Sequence, residues 1–241
     1  MKYLNFVAGS GRRTPEELAV MHREIPVWIE ETQARGVRLL GRPLDMPDTA
    51  STVRVRDGQT LVTDGPFVEA KEFIAGFDLL ECGDLDECIE VAAKGPVSWF
   101  MTIEIRPFAA EPRLDEKAAA FEQWEDDPGH PYLLAVWAGG PAALPPVGQD
   151  VLAEAETWRQ EVAARGQHIL GGTLEGPDTI TTLRVRDAKT LLADGPFFAT
   201  GEYVAALDVV TCADKEQAIQ LAAAHPAARS HPIEVRPFEN G

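Results

Sequence analysis

The chain is poor in cysteine and has no long apolar run. Its 241 residues include three cysteines, Cys82, Cys88 and Cys212. A small, odd number of cysteines indicates reduced thiols in a cytoplasmic protein. No spacing of Cys and His residues is typical of a zinc site. We therefore expect neither a metal nor a cofactor. No stretch approaches the roughly 18 apolar residues that span a bilayer. The opening MKYLNFVAGSGRR also lacks the apolar core of a signal peptide.

Basic residues are also scarce. Lys and Arg number 22 against 39 Asp and Glu, which gives a formal charge of −17 and a pI near 4.6. Such a surface repels phosphate backbones and anionic lipid headgroups, so neither nucleic acid nor membrane is an expected partner. The 45% apolar and 25% charged content is that of an ordinary soluble globular protein.

What the chain does have is an internal duplication. DGPFVEAKE at 64–72 returns as DGPFFATGE at 194–202, 130 positions later. At the same offset TVRVRD (52–57) matches TLRVRD and IEIRPF (103–108) matches IEVRPF. A period this long indicates a duplicated domain and not a short-repeat solenoid. We predict domains at 1–109 and 132–241, joined by a helical linker at 110–131.

Periodicity predicts the same elements in each half. Pro26 predicts a kink or a break in the first helix, and Arg113–Glu125 is predicted to be helical, with Leu114, Phe121 and Trp124 available to dock. The predicted strands and helices of the first half are Tyr3–Val7 (strand), Pro15–Arg35 (helix), Val37–Leu44, Ser51–Asp57, Thr60–Thr63 and Phe73–Cys82 (strands), Asp84–Lys94 (helix) and Thr102–Phe108 (strand).

This order is that of an α+β, ferredoxin-like sandwich, in which one antiparallel sheet carries helices on one face. The other face of such a sheet needs a cover, and a second copy can supply it. We therefore predict tandem ferredoxin-like domains of the dimeric α+β barrel type, packed sheet to sheet as an internal pseudo-dimer.

RVRDGQTLVTDGPFVEAKE (54–72), DLDECIEVAAKGP (84–96) and IEIRPF (103–108) resemble the YCII-related family, in its DGPF (DGPFAETKE) branch. The resemblance covers both halves and implies a ferredoxin-like fold that assembles face to face. A pseudo-dimeric monomer, or a homodimer of it, would fit. Some relatives resemble enzymes that act on small, often aromatic molecules with a His–Asp pair. The resemblance does not assign such a pair to residues of this chain.

The repeated DGPF has two interpretations. Gly65 permits a positive φ, Pro66 fixes the next φ, and an Asp carboxylate can accept backbone N–H bonds, so the motif makes a shaped turn. Alternatively, Asp64 or Asp194 faces a ligand.

The residues that follow the turn differ between the halves. Glu72 is matched by Glu202, but Lys71 is matched by Gly201. Lys71 is either an exposed charge at the end of a strand or an acid–base group present only in the first half.

Charged residues interrupt the apolar strands in both copies, and Asp78 and Asp208 fall inside the longest ones. Charges buried between the halves must be paired. They form either an ion-pair network, which we favour for Glu104–Arg106 and its repeat, or a pocket for a small anionic or phenolic ligand. The candidate ligand-binding residues are Arg54, Arg56, Glu72, Asp78, Arg184, Arg186, Glu202, Asp208 and Arg229.

The last loop of the second half brings His225, Arg229 and His231, which the first half lacks. A histidine near its solution pKa is a natural proton carrier, although a solvated surface is the commoner place for such loop residues. We expect at most one working site, or one composite site. The candidate catalytic residues are Asp64, Lys71, Asp194, His225 and His231.

Two functions stay open. One is small-molecule binding, with or without metal-free acid–base catalysis. The other is a non-catalytic interaction or regulatory protein whose duplication replaces homodimerisation. The first predicts a concave pocket with perturbed titratable groups, and the second predicts a large exposed apolar patch. An RNA-binding sheet is disfavoured by the negative charge.

Overall fold

Two antiparallel sheets and four α-helices form the described part of the chain, residues 1–10, 13–68, 72–124 and 129–239 of a computed structural model. The elements of the first half are β1 (Lys2–Ser10), α1 (Pro15–Ala34), β2 (Arg38–Pro43), β3 (Ser51–Arg56), β4 (Gln59–Asp64), β5 (Glu72–Glu81), α2 (Leu85–Lys94) and β6 (Thr102–Pro107). Those that follow are β7 (Arg113–Leu114), β8 (His130–Gly139), α3 (Gln149–Ala164), β9 (His168–Thr173), β10 (Thr181–Arg186), β11 (Lys189–Asp194), β12 (Glu202–Cys212), α4 (Lys215–Ala224) and β13 (Ile233–Pro237).

Local signals account for the bounds of the first helix. Thr14 caps α1 through a capping box with Glu17, and Gly36 follows the helix at a φ of 68°. α1 continues through Pro26, so the predicted alternative of two segments is wrong. Pro26 is exposed, and water can hydrate the carbonyl of His22 that loses its helical donor. In the described residues no helix is both long and apolar enough to cross a bilayer.

The two halves exchange a hairpin. One sheet has the order β11-β10-β6-β1-β5-β2, so its first two strands come from the second half. The other has the order β4-β3-β13-β8-β12-β9-β7, so its first two strands come from the first half. The exchanged strands pair in antiparallel register, with Leu183 opposite Ile103 and Val53 opposite Ile233. The hairpins themselves are predictable, but their exchange was not predicted.

The sheets pack face to face, and the helices cover their outer faces. The core between the sheets draws Phe6 and Phe77 from the first half and Leu133 and Leu207 from the second. The structure thus confirms an α+β fold of tandem ferredoxin-like units, arranged as an internal pseudo-dimer.

The segment between the halves is not the α-helix that was predicted from Arg113 onward. Arg113 and Leu114 form β7 along β9, and a 3₁₀-helix spans Glu116–Gln123. The open edge of β9 offers backbone groups that a short strand can satisfy, which overrides the helix propensity of this segment. Phe121 and Trp124 are buried, as expected for docking residues, whereas Leu114 is exposed.

Candidate functional site

Asp78 and Asp208 occupy the same place in the two long strands, β5 and β12. Both carboxyls lie on the face of their sheet that the helices cover, beneath α1 in the first half and α3 in the second. Asp208 is completely buried, whereas the Asp78 side chain is 19% exposed. The two carboxyl groups therefore allow a direct comparison between the halves.

Asp208 is held by three cationic or imidazole side chains. Its Oδ1 lies 2.6 Å from Arg159 Nε and 3.2 Å from His168 Nε2. Its Oδ2 accepts from Arg159 Nη2 at 3.2 Å and lies 3.5 Å from His225 Nε2. Both oxygens are occupied, so this carboxyl has no room for a ligand.

Each of the two histidines at Asp208 is also held at its other ring nitrogen, Nδ1. His168 Nδ1 lies 2.6 Å from Asp115 Oδ2, and Arg113 holds Asp115 with two bonds of 2.9 Å. His225 Nδ1 accepts the Ala227 N–H at 3.1 Å, which leaves the ring proton on Nε2, toward Asp208. The His225 ring stands edge-on to Trp158, with 4.7 Å between ring centroids.

Neighbouring side chains lower the pKa values of the Asp208 and Asp115 carboxyl groups. Burial alone raises the pKa of Asp208, but the Arg159 guanidinium and the neighbouring His168 and His225 rings outweigh it and lower the pKa well below its usual range. Burial likewise raises the pKa of Asp115, and Arg113 and His168 bring it below the ordinary value. The Asp208 and Asp115 carboxylates are therefore ionised and paired.

Among the described residues, Asp78 has one ion-pair partner, Arg38. Its Oδ1 accepts from Arg38 Nε at 2.7 Å, and Arg38 also contacts Glu122 and donates to the Gly41 carbonyl at 3.2 Å. Beside Asp78 lies a recess of about 270 Å³, including space open to solvent. It is lined by Asn5, Trp28, Asp78, Ala92, Gly95, Val97, Ser98 and Ile103.

The recess exists because three residues differ between the halves. Gly95 stands where the second half has His225, Ile29 where it has Arg159, and Arg38 where it has His168. The backbone at the first of these positions is the same, with φ and ψ of −64° and 125° at Gly95 and −66° and 132° at His225. The space beside Trp28 is therefore the space of an absent imidazole.

Asp78 also differs from Asp208 in the direction of its pKa shift. Burial raises the pKa of Asp78, and this effect outweighs the opposing charge of Arg38. A carboxyl group with a raised pKa beside an open recess is a common property of binding and catalytic sites.

The DGPF turns connect the two halves through hydrogen bonds. The N–H of Phe67 donates to Glu234 Oε2 at 3.1 Å, and that of Phe197 to Glu104 Oε2 at 3.0 Å, so each turn binds the last strand of the other half. Gly65 adopts a φ of 97°, as the turn interpretation requires. The carboxylates that precede the glycines, Asp64 and Asp194, are exposed. Lys71 lies outside the described residues.

The arginines of the hairpins reach neither Asp78 nor Asp208. Arg54 lies 5.3 Å from the Phe67 ring centroid. Arg184 Nε donates to Thr102 Oγ1 at 2.6 Å, and its Nη2 is 3.7 Å from Glu72. The remaining members of this predicted set are Arg56, which is exposed, Arg186, which binds the Trp99 carbonyl, and Glu202, which is buried.

The histidines of the last loop separate. His225 joins Asp208, whereas His231 Nε2 lies 2.8 Å from the Pro145 carbonyl. Both are buried and not solvated. Arg229 is half-exposed and binds the Pro226 carbonyl and Glu154.

Sequence reasoning missed five titratable residues of the two clusters. A signal was present in the repeated Leu-Gly of β2 and β9. A Cβ on Gly41 would lie 2.2 Å from Asp78 Oδ1, and one on Gly171 would lie 2.0 Å from Asp208 Oδ1. A glycine inside a strand often marks such a close approach. The residues missed are Arg38, Asp115, Glu122, Arg159 and His168.

A model of the YCII-related domain matches residues 1–109 and 134–239. "Uncharacterized protein R00369" of Rhizobium meliloti (strain 1021) is 48% identical over 48 residues, 20% of this chain and 39% of that protein. The chain thus aligns with less than half of its relative. The crystal structure of "Putative Chlorite dismutase TA0507" aligns over 99% of this chain and 95% of its own, at 10% identity and a TM-score of 0.37. Because the family model covers both halves, the chain belongs to the YCII-related family.

Proposed function

We propose that the chain binds a small molecule with a hydroxyl group on an aromatic ring, in the first-half recess beside Asp78. One observation carries the proposal. Asp78 lies at an open recess and pairs, within the part of the chain that the structure describes, with Arg38 alone, whereas Asp208, at the same place in the other half, has both oxygens occupied.

The lining of the recess suits such a ligand. Trp28 and Ile103 provide an apolar wall, and Asp78 is an acceptor that no described residue other than Arg38 contacts through a side-chain hydrogen bond. Apart from the space open to solvent, the recess is much smaller than the sites of drug-sized molecules, about 300–1,000 Å³, so at most a single ring can enter it, from the side that is open to solvent. A phenolic O–H can donate to Asp78 Oδ2 while its ring packs against Trp28.

The same geometry disfavours an anion. Arg38 is the cation of this site, and its Nε, Nη1 and Nη2 are all engaged, by Asp78, Glu122 and the Gly41 carbonyl. A carboxylate ligand would face Asp78 with no cation left to balance it.

Acid–base chemistry at Asp78 is the finer part of the proposal. A carboxyl group acts best when its pKa approaches the working pH, and burial shifts the pKa of Asp78 in that direction. Asp78 would then take a proton from the bound hydroxyl, or return one, without a metal.

The test follows the indole N–H signal of Trp28 by ¹H–¹⁵N NMR during titration with phenol. A saturable shift at Trp28 is expected, and Asp78→Asn is expected to weaken binding about tenfold, the usual effect of losing a charged acceptor. Glu72→Gln, a carboxylate outside the recess, is the matched control and leaves binding unchanged. Equal affinity in wild type and Asp78→Asn would contradict the proposal.

The interaction hypothesis has its own supporting observation. The edge strands β4 and β11 are exposed along their length and carry Leu61, Val62, Leu191 and Leu192 on the surface. Exposed strand edges with apolar residues are prone to pair with other chains. Multi-angle light scattering across a concentration series decides this candidate: a constant monomer mass argues against self-association, and a dimer lost in Leu61→Lys supports it.

A further inference from the structure

We propose that Glu122, in the segment between the two halves, is a positioning residue for Asp78. It holds the Arg38 guanidinium in an orientation that binds one oxygen of Asp78 and leaves the other oxygen to a ligand. The inference rests on the proposed function, since it concerns the same recess, but the contacts that carry it do not depend on what binds there.

Three donors fix the Glu122 carboxylate. Its Oε1 accepts from Arg38 Nη1 and from the Gly41 N–H, the latter at 3.0 Å. Its Oε2 accepts from Gln33 Nε2 at 2.6 Å. These donors belong to β2 and to the last turn of α1, and the Arg38 side chain is only 3% exposed. The Glu122 carboxylate therefore has one defined place beside a buried guanidinium.

The backbone next to Glu122 is fixed as well. Phe121 is completely buried, and its ring centroid lies 6.3 Å from that of Phe77 and 5.0 Å from that of Phe238. The Phe121 carbonyl accepts from Arg42 Nη1 at 3.1 Å. Phe121 thus anchors the 3₁₀-helix beside β2, which brings the neighbouring Glu122 to Arg38.

Arg38 binds its aspartate with one donor, whereas Arg159 of the second half binds Asp208 with two. Arg159 uses Nε and Nη2, at 2.6 Å and 3.2 Å from the two carboxylate oxygens. Arg38 uses Nε alone, because its Nη2 donates to a backbone carbonyl of β2 at 3.2 Å and its Nη1 to Glu122. A guanidinium is a rigid planar fork, so the contact at Nη1 also sets the direction of the other donors. Without Glu122, Arg38 can turn Nη2 to Asp78 Oδ2 and form the bidentate pair seen in the second half.

The charge of Glu122 acts on Asp78 as well. Burial raises the pKa of Asp78, the Arg38 guanidinium lowers it, and the charge of Glu122 adds to the rise. The other described residues that line the recess, from β1, α1, α2, β6 and the loop before β6, are uncharged. Loss of Glu122 is therefore expected to lower the pKa of Asp78, both by removing a negative charge and by admitting a second bond from Arg38.

The experiment follows the Asp78 carboxyl carbon by ¹³C NMR during a pH titration of the full chain without ligand, with the signal assigned by Asp78→Asn. Glu122→Gln keeps the size of the side chain and is expected to lower the titration midpoint of Asp78 by about one pH unit. Glu122→Asp keeps the charge but shortens the reach, so its midpoint is expected to fall by less, and it carries the test if Glu122→Gln does not fold. Glu116→Gln removes an exposed carboxylate of the same 3₁₀-helix and is the matched control, with an unchanged midpoint.

Phenol then connects this role to binding. In the wild type, the response of the Trp28 indole N–H to phenol is expected to be lost as the pH falls through the midpoint of Asp78, because a protonated carboxyl is a weaker acceptor. In Glu122→Gln at pH 7, binding is expected to be about tenfold weaker, because Arg38 then engages Oδ2 of Asp78.

An Asp78 midpoint that stays or rises in Glu122→Gln would overturn the inference. So would an equal fall in Glu116→Gln, which would show a general effect of net charge. A lower midpoint in Glu122→Gln, together with no saturable response of wild-type Trp28 to phenol, would support the role of Glu122 and reject the proposed ligand. The two proposals can thus fail separately.

Discussion

The two long strands carry the same aspartate into two different environments. In the second half, Arg159, His168 and His225 surround Asp208 and leave no space. In the first half, Asp78 keeps one arginine and gains a recess. After duplication, one copy has a buried network of paired groups at this aspartate, while the other has an open recess beside it. Much of the difference lies at one position, where Gly95 replaces a histidine on an unchanged backbone.

Neutralising the two aspartates in turn should give the largest contrast. Asp208→Asn leaves the buried Arg159 guanidinium without its carboxylate, and we expect it to lower the free energy of unfolding by about 3–5 kcal/mol. Asp78→Asn is expected to change it by less than about 1 kcal/mol, because that carboxyl is partly exposed and singly paired. Urea denaturation of both variants checks the difference, and equal losses would show that the halves are equivalent.

Exchanging the residues at the 95/225 position should move the recess from one half to the other. We expect Gly95→His to place an imidazole against Trp28 and to weaken phenol binding at least tenfold, with little change in melting temperature. A Cβ on Gly95 meets Trp28 at 3.4 Å and the Ala92 carbonyl at 3.2 Å, so the fit is tight but achievable. His225→Gly is the reverse change and should make the Trp158 indole respond to phenol. Retained binding in Gly95→His would mean that the ligand lies elsewhere.

Acidification should change the contributions of the two carboxyl groups to stability in opposite directions. The folded-state pKa of Asp208 is lowered, so its stabilising effect is full above the unfolded value of about 3.9 and is lost as pH falls toward the folded value. The stability gap between wild type and Asp208→Asn should therefore narrow as the pH falls below about 4, by up to about 1.4 kcal/mol per pH unit. The folded-state pKa of Asp78 is raised, so its charge costs stability at neutral pH and the cost disappears on acidification. Any advantage of Asp78→Asn should thus shrink as pH falls, and a gap of the same sign for both variants would contradict these assignments.

The smallest effect concerns the hairpin turns. Asp57 and Gly58 have φ values of 51° and 72°, and the matching turn holds Asp187 and Ala188 at 51° and 58°. Because an alanine already occupies the second turn, Gly58→Ala should cost about 1 kcal/mol or less. Gly65→Ala, at a φ of 97° outside the left-handed helical well, should cost more. Thermal melting of the pair checks the order.

The sequence predicts the elements well because their signals are local. The capping box at Thr14, the Asp84 cap and the hairpin turn at Asp57-Gly58 act within a few residues, and the structure places elements there. Hairpin exchange has no such signal. Val53 and Val55 would present the same apolar face to either sheet, so the pattern cannot say which half receives it.

Only part of the candidate site could be predicted from the sequence, for a similar reason. Asp78 and Asp208 stand out as charges inside apolar strands, but their partners lie on other elements. Asp115 and Glu122 come from the connecting segment, which has no counterpart in the repeat and which the sequence predicts only to be a helical linker. A comparison of the two halves cannot detect site residues in a segment that is present only once in the chain.

The exchanged hairpins also determine when the first sheet can be completed as the chain is synthesised. The first sheet lacks β10 and β11 until residue 194 has left the ribosome, although its other strands end at Pro107. Until then the edge of β6 that receives Leu183 is unpaired, and the Glu104 carboxylate awaits the Phe197 N–H. The nascent first half is therefore an open sheet with an unpaired edge, the kind of edge that chaperones shield and neighbouring chains can occupy.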